Sequence, residues 1–232
     1  MAQAPGTLEP GQVRAMFDRI AGFYDVMNTV MTAGLHHRWR ARAVDLAAVG
    51  PGNRVLDVAT GTGDLAIELA RRVTPGGSTV ACDFSEAMLT LARGKAPEIE
   101  FAWGDALALD FPDDSFDAAT VGFGARNFDD LARGLSEMAR VVRAGGRVVI
   151  LEITTPTKPP LSTFFHFWFD RLVPALGRLA GDPEAYDYLP SSVRRFPGAG
   201  ELAAILHRVG LRNVRYVLTA GGIIAIHVGE VE

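Results

Sequence analysis

The chain has 232 residues, 48% hydrophobic and 22% charged, with a formal net charge of −4. That is the profile of a globular protein, and a net negative charge gives no hold on nucleic acid. The one cysteine, Cys82, excludes an intramolecular disulfide and a cysteine-built zinc site.

The first ten residues lack the basic and apolar regions of a secretory leader, so a cytoplasmic location is expected. Val13 to Val49 reads as helical with a break at Gly34. Arg54 to Ala59 is the first strand, an apolar run between Pro51-Gly52 and Gly61, and Asp64 to Val73 is a helix. Ser78 to Cys82 is a second strand, and Ser85 is a natural N-cap for a helix running to Ala96. Ile99 to Trp103 and Phe116 to Val121 are strands, Asp129 to Val142 is a helix stopped by Ala144-Gly145-Gly146, and Arg147 to Ile153 is a fifth strand. Strands alternating with helices predict βαβ units in a doubly wound, mostly parallel α/β sheet.

From Thr154 to Gly200 the rhythm breaks into a proline-containing, aromatic-rich insertion. Its segment Leu161 to Ala180 is the longest apolar stretch, but Asp170, Arg171, Pro174 and Arg178 interrupt it, and a membrane span needs about 20 apolar residues. Within it, Leu161 to Leu172 carries five aromatic rings, suited to a buried core helix, a lining for an apolar ligand or a membrane-surface contact. A helix over Gly200 to Val209 follows, then strands Arg212 to Leu218 and Ile223 to Val228, joined as a hairpin by Ala220-Gly221-Gly222. The sheet is therefore predicted to have seven strands and an antiparallel end, in a single domain over residues 1–232.

The chemistry concentrates at the strand ends. Gly61-Thr62-Gly63 joins a strand to a helix, where glycine permits a tight turn and close approach of a ligand. Gly61, Gly63 and Ala66 also satisfy the relaxed dinucleotide fingerprint, with Asp83 near the expected spacing, so a nicotinamide cofactor is the competing reading. Charge separates the two. Asp57 directly precedes the loop and would repel a pyrophosphate. Asp57 ends the first strand, Asp83 follows the second and Asp105, in Gly104-Asp105-Ala106, follows the third, and three carboxylates around one crevice suit a cationic ligand without phosphate, namely S-adenosylmethionine. The bland alternative is that Asp57 and Asp64 cap a helix and Asp83 starts a turn.

Longer spaced motifs narrow the reading. Tyr24-Asp25-Val26-Met27-Asn28 is followed by Met31, His36 and Trp39, and Arg140 to Gly146 by Glu152. Phe123-Gly124-Ala125-Arg126-Asn127 and the tail Leu218 to Ile223 with His227 complete the set. On these motifs the chain resembles the family of C-methyltransferases of menaquinone and ubiquinone biosynthesis, from about Phe17 to Gly229. Thr32, Arg143-Ala144 and Thr154 depart mildly from the family's residues.

The resemblance implies the class I methyltransferase fold and methyl transfer from S-adenosylmethionine to a ring carbon of a polyprenylated quinol, leaving S-adenosylhomocysteine and needing no metal. Demethylmenaquinol is the expected substrate, with a ubiquinone precursor as alternative. Thr62, Asp83 and the Asp105-Ala106 pair match cofactor contacts. Gly122 stands where serine is common, so its contact would come from the backbone. Arg126 is expected to stabilise the phenolate that develops on the quinol, and Asn127 to orient substrate or cofactor. The alternative for Arg126 is a surface ion pair with Asp129 or Asp130. Tyr24, Asn28 and His36 are expected in a lid over residues 13–49, and the insertion over 154–200 as a substrate cap. The proton acceptor is open among His36, His166 and a water held by Arg126. Docking at the inner face of the membrane and self-association into a homo-oligomer are both compatible with this reading.

Overall fold

The computed structural model describes residues 10–173 and 183–232, without the side chains of Pro10, His166, Asp170, Leu172 and 183–187. Helix α1 spans Pro10–Thr32 and α2 Leu35–Ala47. Gly34 separates them in the left-handed region at φ 74°, as the break in the pattern predicts. α2 buries His36, Arg40, Ala43, Val44 and Ala47, one face at helical spacing. Its apolar part lies in the core against Val55, Leu69, Ala118 and Leu151. Of the predicted lid over 13–49, only α1 and the start of α2 therefore reach the candidate site.

Strands β1 (Arg54–Val58), β2 (Ser78–Asp83), β3 (Glu100–Trp103), β4 (Phe116–Gly122) and β5 (Val142–Ile153) run parallel. β6 (Arg212–Thr219) and β7 (Ile224–Glu230) form the antiparallel end, giving the order β3-β2-β1-β4-β5-β7-β6. β1 is buried at four of its five residues because helices cover both faces of the sheet. Helices α3 (Asp64–Val73), α4 (Glu86–Lys95), α5 (Leu131–Val141), α6 (Leu161–Phe167), α7 (Pro183–Arg195) and α8 (Ala199–Arg208) follow, with short 3-10 turns at Ala125–Asn127 and Ala220–Gly222 and a π-helical turn at Trp168–Leu172. Ser85 caps α4, its Oγ accepting from Met88 N at 3.2 Å. α5 starts two residues later than its pattern predicts because Asp130 is the cap, accepting from Arg133 N at 2.9 Å. The Ala144-Gly145-Gly146 stop lies inside β5, beside a register shift between Phe116 and Ala118 that absorbs it.

The strand order reverses between β1 and β4, and in such sheets ligands bind outside the carboxyl ends at that point. The aromatic segment splits by face. Phe165 and Phe169 are buried with Val173 and Val193, while Phe164 and Phe167 are exposed.

Candidate active site

The loop after β1 is shaped by backbone geometry. Gly63 has φ 85°, and a Cβ there would lie 3.2 Å from Ala92 Cβ and from the Phe101 ring, so only glycine makes this turn without strain. Asp83 holds the loop from β2: Gly61 N donates to its Oδ2 at 2.8 Å and Ser85 N to its Oδ1 at 2.9 Å. Burial raises the Asp83 carboxyl above its ordinary range, against these hydrogen bonds. Thr60 and Thr120 hydroxyls each donate to Asp57 at 2.6 Å. Asp57 and Thr120 are partners in the β1–β4 register. Burial pushes the Asp57 carboxyl up to about 6.

A cavity of about 310 Å³ opens at these strand ends. Asp57, Gly61, Thr62, Asp83, Asp105, Ala106, Gly122 and Asn127 all line it, and Gly63 does not. Asp105 is exposed and binds Leu107 N at 2.9 Å through Oδ1. Thr62 donates its hydroxyl to Asp25 of α1 at 2.6 Å.

A second cavity of about 300 Å³ adjoins the first and holds Tyr24, Asn28, His36 and Arg126 among mostly apolar side chains such as Met27, Met31, Ile153 and Ile224. Phe17, Tyr24, Arg40 and Phe123 line both cavities and so form the wall between them. Arg126 Nη1 donates to Glu152 Oε1 at 2.8 Å and to Phe123 O. Its Nε is buried with no hydrogen-bond partner, and a buried orphan donor is costly unless a ligand takes it. His36 Nδ1 accepts from Arg40, which puts the ring proton on Nε2, 3.3 Å from Thr29 Oγ1. Burial first, then the Arg40 charge, lowers His36 to about 4.

The ubiE/COQ5 methyltransferase family profile matches residues 7–231. The chain belongs to this family. It is 46% identical over 220 residues to the demethylmenaquinone methyltransferase of Thermus thermophilus, covering 93% of this chain and 99% of that one. It is 47% identical over 223 residues to that of Roseiflexus castenholzii, covering 94% and 92%. It is 43% identical over 225 residues to the ubiquinone/menaquinone biosynthesis C-methyltransferase UbiE of Geobacter sulfurreducens, covering 94% and 88%. Among solved structures, the [4+2]-cyclase SpnF matches with a TM-score of 0.70 at 17% identity, covering 99% of each chain. A SAM-dependent methyltransferase from Thermotoga maritima matches with a TM-score of 0.67 at 18% identity, covering 94% of this chain and 99% of that one. At such identities the likeness is one of fold alone, and the cyclase shows that this fold also serves other reactions.

The structure gives two residues of this methyltransferase partners that spacing does not reveal. Arg126 is not in a surface pair with Asp129 or Asp130. Its ion-pair partner is Glu152, and both side chains are buried. Asp57 lines the crevice as expected, and its oxygens also accept the Thr60 and Thr120 hydroxyls, so it braces the loop as well. Asn127 lies in the first cavity and Arg126 in the second. The side chain of His166 lies outside the described residues. Among the described residues no group of three His, Cys, Asp or Glu side chains could hold a metal ion, and no helix is long and apolar enough to cross a membrane.

Several contributors have no signal in spacing. Arg40 reaches both cavities from α2, and Tyr188 of α7 donates to Asn127 Oδ1 at 3.1 Å across 61 residues. Thr120 meets Asp57 only through strand pairing. Glu152 stands out in sequence as a motif residue, which marks it without saying what it holds.

Proposed function

We propose that this methyltransferase transfers a methyl group from S-adenosylmethionine to a ring carbon of demethylmenaquinol, giving menaquinol. The observation that carries the reading is Arg126, a buried cation with an unpaired Nε, lining an apolar cavity that shares a wall with an acidic crevice. The crevice suits the cofactor: its aspartates favour an ammonium and a sulfonium and would repel a pyrophosphate. Asp83 and Asp105 would hold the ribose and adenine side, with Thr62, Ala106 and Gly122 as further contacts.

Bound there, the cofactor supplies an electrophilic methyl group and departs as S-adenosylhomocysteine. The protein's task is alignment. Tyr24 and Phe123, at the junction of the cavities, would keep water from the path between donor and ring. Arg126 would hold the quinol oxygen through Nε, so that loss of the hydroxyl proton leaves a phenolate beside a fixed positive charge. His36 has no free ring lone pair, since Nδ1 accepts from Arg40 and Nε2 carries the proton. That takes His36 out of the candidates and leaves His166 and a water held by Arg126, of which the water is our reading. Asn127, held by Tyr188, would fix the short turn that carries Arg126.

The apolar second cavity would take the quinol and the start of its prenyl tail. Phe23 lines that cavity and is 69% exposed, so it stands at the mouth, and exposed Val26 and Val30 continue the same helix face. These support docking on the inner face of the membrane, where such a quinol resides. Relatives carry both quinone names, so a ubiquinone precursor is the second reading. The test is methylation of soluble short-chain demethylmenaquinol and of the matching methoxybenzoquinol by labelled cofactor. Label entering only the benzoquinol would replace the first reading by the second, and label in neither, with cofactor bound, would sink both.

A further inference from the structure

Five aspartates line the first cavity, and among its described lining residues the cations are Arg14 and Arg40. The amino-acid end of the cofactor carries an α-carboxylate as well as an ammonium. In a crevice this acidic the ammonium is easily satisfied, whereas the carboxylate is repelled unless a cation meets it. Arg14 is exposed at the rim, where water screens it. Arg40 is 7% exposed, close to the glycine loop, and stands in the wall between the two cavities.

The guanidinium of Arg40 is only partly used. Its contacts to Asp64 Oδ2, at 3.3 Å, and to His36 Nδ1 both run through Nη1. Asp64 has a second cation in Lys95, 3.0 Å from its Oδ1, so it does not depend on Arg40 alone. Nε and Nη2 remain, the edge of the planar fork that takes a carboxylate with two parallel hydrogen bonds. Neither is among the fully buried side-chain atoms without a partner.

We propose that Arg40 is the receptor for the α-carboxylate of the cofactor, gripping it through Nε and Nη2 while Nη1 stays on Asp64. This rests on the proposed cofactor and adds the device by which the site tells it from an analogue lacking that carboxylate. It also ties α2 to occupancy of the crevice, since Arg40 and His36 lie on that helix and both line the second cavity.

The test is calorimetric binding of S-adenosylhomocysteine and of its decarboxylated form, 5′-(3-aminopropylthio)-5′-deoxyadenosine, to the full chain and to Arg40→Gln and Arg40→Lys. The parent is expected to prefer the carboxylated ligand by roughly tenfold to a hundredfold, the worth of charge-assisted hydrogen bonds. In Arg40→Gln that preference should shrink below about threefold, while the decarboxylated ligand binds within about threefold of its parent affinity. Arg40→Lys keeps the charge without the fork and should retain an intermediate preference, which also guards against misfolding of the glutamine variant. A preference that survives in Arg40→Gln, or equal weakening of both ligands, overturns the assignment to Arg40. If the parent binds neither ligand, the cofactor reading itself falls.

Discussion

Arg126 and Glu152 form an ion pair with side chains only 7% and 2% exposed, closed by a 2.8 Å hydrogen bond from Nη1 to Oε1. Glu152 also accepts from the backbone N of Ile153 at 2.8 Å and of Arg126 at 3.3 Å. The carboxylate thus fixes both the turn and the guanidinium at the end of β4, and leaves Nε as the donor to spare.

Removing Arg126 should affect rate and stability together. Arg126→Ala is expected to lower single-turnover methylation of a short-chain demethylmenaquinol by about 10²–10³, as for other electrostatic donors to a developing anion. Affinity for S-adenosylhomocysteine should move little, because Arg126 lines only the second cavity. The variant leaves Glu152 buried without its partner, costing about 3–5 kcal/mol in urea unfolding, so rates are taken well below its melting temperature. Arg126→Lys should recover the rate only in part. A parental rate in Arg126→Ala would move the phenolate contact elsewhere.

Asp83→Ala should weaken S-adenosylhomocysteine binding by about 1.5–3 kcal/mol in calorimetry. Because Asp83 also takes Gly61 N and Ser85 N, the protein should melt lower as well. A folded Asp83→Ala with parental affinity would remove it from the cofactor site.

Asp57 makes stability depend on pH. Its folded pKa of about 6 lies above the ordinary 3.8, so between these values the folded state holds a proton that the unfolded chain has released. Stability relative to Asp57→Asn should therefore fall as pH rises from about 4 to about 6, by about 3 kcal/mol, and stay level above that. Urea titrations of both proteins at four or five pH values check it. Parallel curves would mean that the carboxyl is ionised throughout.

His36 should remain neutral well below its ordinary 6.5. Its folded pKa is about 4, so the stabilisation from a neutral ring is complete above pH 6.5 and is lost as pH falls towards 4. Ring-carbon chemical shifts followed by NMR should be flat from pH 8 to about 5.5. A midpoint near 6.5 would return His36 to the list of proton acceptors.

The α1 face should hold the protein on lipid. Replacing Phe23, Val26 and Val30 with serine is expected to reduce sedimentation with anionic phospholipid vesicles severalfold, since each exposed apolar side chain is worth on the order of 1 kcal/mol or more on burial. S-adenosylhomocysteine binding should be unchanged. Equal sedimentation of both proteins would leave this face without a lipid role.

The periodicity of Leu65, Ala66, Leu69 and Val73, the apolar runs of the strands and the glycine turn between β1 and α3 are local properties, and they were enough to place the elements outside the 154–200 insertion, the seven strands and the acids at the carboxyl end of the sheet, whereas the helices within the insertion were not read from them. The family motifs determined membership, because whole spaced patterns are far rarer than a single glycine loop. What only the tertiary structure decided are the partners. Asp57 reads as a free acid until β4 places Thr120 beside it, and nothing in the spacing says that Arg126 pairs with Glu152 until β5 brings the two together. Arg40 belongs to the site only because α2 packs on the sheet with that side chain at its site end. Sequence spacing encodes which face a residue occupies within its own element, whereas charge pairing and burial depend on which elements become neighbours, and that is settled by the packing of the whole core.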